Sequence, residues 1–168
     1  SNTTFLPVDH DYYEQISDRI MEIVKPFADK FEQASIDEAF LEVSHKSDES
    51  FEKAAQIALK LKKEIFQKEK LTVSIGIGPN KMVAKIASGQ KKPDGLTVVT
   101  NKQVKEFLEP LEASEIPGVG VKTKEELEKM GIKTIKELSE LQLHKLIEVF
   151  GQSRGTLLFN SAKGIDES

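Results

Sequence analysis

Asp37 and Glu38, adjacent carboxylates, are the residues of this 168-residue chain with the clearest capacity for chemistry. In a regular strand, neighbouring side chains point to opposite faces and would not share a ligand. At a turn between two strands both can converge, and convergent carboxylates suit a hard divalent cation such as Mg²⁺. A pair of such ions can activate an attacking oxygen and stabilise a leaving one. As a bare dipeptide, the same pair is an ordinary solvated acidic turn. A second group, Asn80, Lys81, Lys85, Lys91 and Lys92, offers ammonium charges to a phosphate chain. Lys81 and Lys85 read equally well as a solubilising helix face. The third is Pro117-Gly118-Val119-Gly120, followed by Lys122-Thr123-Lys124. Glycines allow close backbone approach, and a helix starting there turns free N–H groups toward a phosphate oxygen. Gly118, Val119, Gly120, Lys122 and Lys124 are therefore candidate contacts of a helix-hairpin-helix that grips nucleic-acid backbone without reading bases. Its alternative is a plain glycine-capped turn, and Glu125, Glu126 and Glu128 offset part of its positive charge.

The elements that would position these groups follow from periodicity. Ile16, Ile20, Ile23 and Val24 are spaced as one helical face between Asp11 and Val24, with Pro26 ending it. Phe31–Ala34 and Ala39–Val43 read as strands flanking Ser35-Ile36-Asp37-Glu38. Ile57, Leu61 and Ile65 predict a helix from Ala54 to Glu69, and Leu71–Ile77 alternates in period two as a strand. Pro79–Ser88 suits a short helix, Leu96–Thr100 a strand and Lys102–Leu108 another helix. After Pro110, short amphipathic helices follow one another, separated by Gly118, Gly120, Gly131 and Gly151. Gly131 is expected to end one helix and Thr134 to cap the next. The expected domains are an α/β part, residues 3–109, and an all-helical part, residues 110–168.

Composition narrows the class. Hydrophobic residues at 38% and charged residues at 31% are ordinary for a globular protein. The absence of cysteine excludes disulfides and thiolate metal sites and favours an intracellular, cytoplasmic chain. No apolar run has the length of a membrane span and no signal peptide is visible; Ser1-Asn2 resembles a scar of tag removal. A net charge of −4 argues mildly against a nucleic-acid binder, so local clusters must carry any such role.

Beyond single motifs, Ala34-Ser-Ile-Asp-Glu-Ala-Phe-Leu-Glu-Val43 closely resembles the palm signature of Y-family translesion DNA polymerases. Residues 74–95, Ser-Ile-Gly-Ile-Gly-Pro-Asn-Lys-Met-Val-Ala-Lys-Ile-Ala-Ser-Gly-Gln-Lys-Lys-Pro-Asp-Gly, resemble the second signature of that family. Ile116-Pro-Gly-Val-Gly120 resembles its thumb motif, and Phe5-Leu6-Pro7-Val8 the return from fingers to palm. The similarity spans nearly the whole chain and points to archaeal polymerases of the DNA polymerase IV type. It implies an α+β fold: a ferredoxin-like palm sheet with helices, its first strand missing, followed by a small all-α helix-hairpin-helix thumb. It also implies that Asp37 and Glu38 are catalytic metal ligands for two Mg²⁺ ions in the complete enzyme, with Glu38 nearest the primer 3′-hydroxyl. Ser35 would shape the turn, and Lys92 would contact the nucleotide phosphates. Implied partners are primer-template DNA, deoxynucleoside triphosphates and, through parts not present, a sliding clamp. The family carries a further metal-binding aspartate beside an aromatic residue, and fingers and little-finger domains, that nothing here matches. Asp9-His10-Asp11-Tyr12-Tyr13 belongs instead to the helix after the fingers. The fragment alone is therefore expected to be inactive. A nucleotide cyclase on a palm-like sheet would explain the carboxylates but not the hairpin. A non-catalytic DNA-binding module would explain residues 116–138 but not Ser35–Glu38.

Overall fold

Residues 7–168 are described by a computed structural model. The residues fall into two units, one ending at Val73 and the other running Ser74–Ser168. Phe5 and Leu6, part of the expected fingers-to-palm return, lie outside the described residues.

In the first unit, α1 (His10–Val24) starts at Asp9, whose carboxylate accepts from the Tyr12 amide at 3.0 Å. The start Asp-x-x-Tyr-Tyr is thus a helix cap with Tyr12 and Tyr13 exposed. The predicted apolar face is rotated slightly. Met21, Ile23 and Val24 are buried with Ser17, whereas Ile16 and Ile20 are only half-buried. Pro26 ends the α-helix in a 3-10 turn, Lys25–Phe27. Strands β1 (Lys30–Gln33) and β2 (Ala39–Glu42) form an antiparallel hairpin with Gln33 opposite Ala39. Helix α2 (Phe51–Glu69) begins earlier than the predicted Ala54, because Ser50 caps it through the Lys53 amide at 3.3 Å. It buries Ala54, Ala58, Leu61 and Ile65 and packs on α1. Arg19 and Glu69 join the two helices at 2.8 Å.

The second unit opens with β3 (Ile75–Ile77), α3 (Lys81–Gly89) and β4 (Leu96–Val98), with β3 and β4 parallel. The strand expected over Leu71–Ile77 is shortened to its last part. Alternation sets a face, but a strand also needs a partner backbone, and β4 pairs with three residues only. The predicted strand to Thr100 ends at Val98. Thr100 and Gln103 form a capping box that turns the chain into a 3-10 turn, Asn101–Gln103, and then α4 (Val104–Leu108). Gly76 permits α3 to lie against β3, since a Cβ there would sit 1.9 Å from the Ala84 carbonyl oxygen.

Past a 3-10 turn at Ala113–Glu115 come α5 (Val121–Lys129), α6 (Ile135–Ser139), α7 (Leu143–Phe150) and α8 (Gln152–Ala162). Gly131, at φ 78°, follows α5, and Thr134 caps α6 in a reciprocal box with Glu137, as the sequence predicts. Gly155 lets α8 approach α7, a Cβ there meeting the Ile147 amide nitrogen at 2.7 Å. One hydrophobic cluster runs from Met82, Val83 and Ile86 through Val99 and Leu108 to Leu127, Ile135, Leu146 and Leu158. The core of this unit therefore continues across Pro110. The class is α+β, and among the described residues β1 pairs with β2 and β3 with β4.

Candidate functional site

The β1–β2 turn is closed by main-chain bonds. The Ala34 and Ser35 amides both donate to the Glu38 carbonyl, at 2.9 and 3.1 Å. Within it the Ser35 hydroxyl donates to Asp37 Oδ1 at 2.7 Å, and the Asp37 amide approaches Ser35 Oγ at 3.4 Å. Ser35 thus fixes the Asp37 rotamer, the turn-shaping role expected of it. The turn is also tied to α1, where the buried Ser17 hydroxyl donates to the Ile36 carbonyl at 2.5 Å. That anchor was not foreseen, although a serine in line with Met21 and Val24 on an apolar face was the signal for it. Asp37 is exposed and Glu38 half-buried. Both are hard oxygen donors of the kind Mg²⁺ takes. Among the described residues no three His, Cys, Asp or Glu side chains come together as a metal site.

Lys92 lies in the loop from α3 to β4 and is exposed. The loop is fixed behind it at Gly95, whose amide donates to Ser74 Oγ at 3.1 Å and whose carbonyl accepts from the Ile75 amide at 3.0 Å. A Cβ on Gly95 would sit 2.3 Å from the Lys91 carbonyl oxygen, so glycine is required there. Lys81 and Lys85 ride on α3, which Asn80 caps through the Val83 amide at 2.9 Å.

The glycine hairpin is built as its sequence suggests. The Val119 amide donates to the Ile116 carbonyl at 3.0 Å across Gly118, which stands at φ 89°. Gly120 is the N-cap of α5 and brings no side chain to its first amides. Open space surrounds Gly120, Val121 is 75% exposed, and Lys122 is exposed on the first turn. Lys124 is differently placed, its ammonium meeting Glu112 Oε2 at 3.0 Å. The hydrogen bond from Lys124, then that from Ser114, holds the Glu112 carboxyl below the usual range, and Glu112 in turn raises Lys124. Spacing along the chain gave no hint of this pair, because the two residues meet only once the hairpin has folded. Behind it, residues 111–113 pair with 133–135, the Ala113 amide donating to Lys133 O at 2.8 Å and the Ile135 amide to Leu111 O at 2.9 Å.

Comparison with known proteins places these features in context. Residues 1–89 match the model of the impB/mucB/samB family, and residues 114–166 match that of the DNA polymerase-iota thumb domain. The chain is 50% identical to DNA polymerase IV 1 of Methanosarcina mazei over 98% of its own length and 46% of that protein's. It is 43% identical to DNA polymerase IV of Nitrosopumilus maritimus, over 99% of this chain and 46% of the relative. The chain thus spans about half the length of the curated relatives it matches. Among solved structures, it is similar to an insertion ternary complex of Dbh DNA polymerase, with TM-score 0.92 and 36% identity over 98% of this chain and 48% of that one. It is likewise similar to DinB from Sulfolobus solfataricus, with TM-score 0.89 and 37% identity over 96% of this chain and 47% of that one.

Proposed function

The chain belongs to the impB/mucB/samB family of Y-family DNA polymerases, and from that premise we propose that it is the palm and thumb of a translesion polymerase. Residues 3–109 are the palm and 110–168 the thumb, a division supported by family matches at 1–89 and 114–166. The reaction is template-directed transfer of a nucleotide to a primer 3′-hydroxyl during damage bypass, in the cytoplasm. Its substrates are primer-template DNA and deoxynucleoside triphosphates. The observation that supports this reading is the β1–β2 turn, which carries Asp37 and Glu38 in succession between the two strands, with Asp37 locked by Ser35.

Asp37 and Glu38 would hold Mg²⁺, which when bound supplies activation of the attacking hydroxyl and charge stabilisation of the leaving pyrophosphate. Ser35 orients the Asp37 carboxylate, and Ser17 keeps the turn against α1. Lys92, on its glycine-fixed loop, offers a point charge to the triphosphate. Gly118, Val119 and Gly120 bring main chain up to a DNA phosphate, with Lys122 and then Lys124 adding charge. A nucleotide cyclase would leave this hairpin without a purpose.

Primer extension by the intact polymerase containing this chain tests the reading. Glu38→Ala should lower turnover by several orders of magnitude with little change in DNA affinity, because the lost charge stabilisation acts on the transition state. Normal extension by that variant would reduce the acidic pair to a solvated turn.

A further inference from the structure

The segment after α8 folds back onto the start of α3. Asn80 accepts the Val83 amide with its side-chain oxygen, and its side-chain nitrogen donates to the Gly164 carbonyl at 2.8 Å. The Met82 amide, which that cap leaves over, donates to Asp166 Oδ2 at 2.9 Å. Two of α3's opening amides are therefore satisfied, one locally and one by a carboxylate 84 residues away. Negative charge at this end also complements the helix dipole. The fold-back is closely fitted. Gly164 stands at φ 76°, and a Cβ there would lie 2.3 Å from Val104 Cγ1 and 3.5 Å from Leu108 Cδ1. Its amide donates to the Ser161 carbonyl at 3.0 Å, and that of Ile165 to Asn160 O at 3.0 Å. Asp166 is itself oriented by the Ser168 amide and hydroxyl, both at 3.1 Å. Nearer the start of α8, Leu157 Cδ2 lies 4.0 Å from the Cβ position of Gly118 in the hairpin.

We propose that Asp166 is a positioning residue, a latch that fastens the exit of α8 to the start of α3. Through it the hairpin at Gly118 and the helix leading into the Lys92 loop are held as one piece. A duplex gripped at the hairpin is then felt at α3. That last step rests on the polymerase reading, whereas the latch itself does not.

Amide hydrogen exchange by NMR, on the chain with its wild-type sequence and as Asp166→Ala and Asp166→Asn, reads the latch directly. Losing a capping acceptor should speed exchange of the Met82 amide about fivefold or more in Asp166→Ala. Asp166→Asn, which keeps an acceptor without the charge, should fall between, and the Leu127 and Ile135 amides should not change. An unaltered Met82 amide, or an equal acceleration throughout α5–α8, would overturn the latch. Adding a primer-template duplex at low salt should slow Met82 exchange in the wild-type chain but not in Asp166→Ala, although both bind it equally by anisotropy. Equal slowing in both would overturn the coupling. If the duplex bound neither, the grip at the hairpin and the coupling built on it would fall, and the free-chain measurement would still decide the latch.

Discussion

At the residue scale, the two lysines of the hairpin are not equivalent. Lys124 is engaged by Glu112, while Lys122 stands exposed beside the uncapped start of α5. A phosphate gains less from a cation that must first leave a carboxylate. Lys122→Ala should therefore weaken DNA binding across all sequences and make the slope of log affinity against log salt shallower by about one. Lys124→Ala should change the slope by less, and binding isotherms at several salt concentrations check both. Glu137 makes a second residue-scale case. Hydrogen bonds from the Thr134 amide and then the Lys133 amide, at 2.9 and 2.8 Å, hold its carboxyl below the usual range. A depressed carboxylate adds stability that is present above its unfolded pKa and is lost as pH falls through the folded one. Glu137→Gln should thus flatten the acid side of a plot of Tm against pH, while leaving its neutral and alkaline parts parallel to the wild type.

At the scale of elements, glycines decide how closely helices lie on their neighbours. Gly76 sits under α3 with backbone on the far side of any added Cβ, and that backbone cannot rotate away. Gly76→Ala should cost about 3 kcal/mol or more by urea denaturation. Gly89, at the end of the same helix, has nothing within 4 Å of an added Cβ. Gly89→Ala should be neutral or stabilise by up to about 1 kcal/mol, since alanine loses less chain entropy there. The pair separates close packing where β3 meets α3 from intrinsic helix preference within α3. The alternation over Leu71–Ile77 overstated β3 for a separate reason, the three-residue ladder with β4. A period of two records which face would be covered, whereas the length of a ladder depends on how far its neighbour runs.

At the scale of the molecule, the cluster containing Met82, Val99, Leu146 and Leu158 serves the segments on both sides of Pro110. Leu146 is fully buried in it, so Leu146→Ala should cost about 3 kcal/mol and speed exchange in α3 as well as in α7 and α8. Protection lost from α7 and α8 alone would mean that α3 does not share their core. Local pattern was enough to foretell the hairpin flanking Asp37 and Glu38, the Pro26 stop, the Gly131 and Thr134 signals and the run of helices after Pro110. Each depends on residues a few positions apart, whose backbone preferences and caps act before any long-range contact forms. The resemblance of 34–43, 74–95 and 116–120 to one family was likewise legible, because motif order and spacing survive without coordinates. Tertiary structure alone decided that Ser17 anchors the β1–β2 turn, that Glu112 occupies Lys124 and that Asp166 reaches the Met82 amide. These partners stand 19, 12 and 84 residues apart. No local propensity encodes such a meeting, since it exists only after packing has brought distant segments within hydrogen-bond reach.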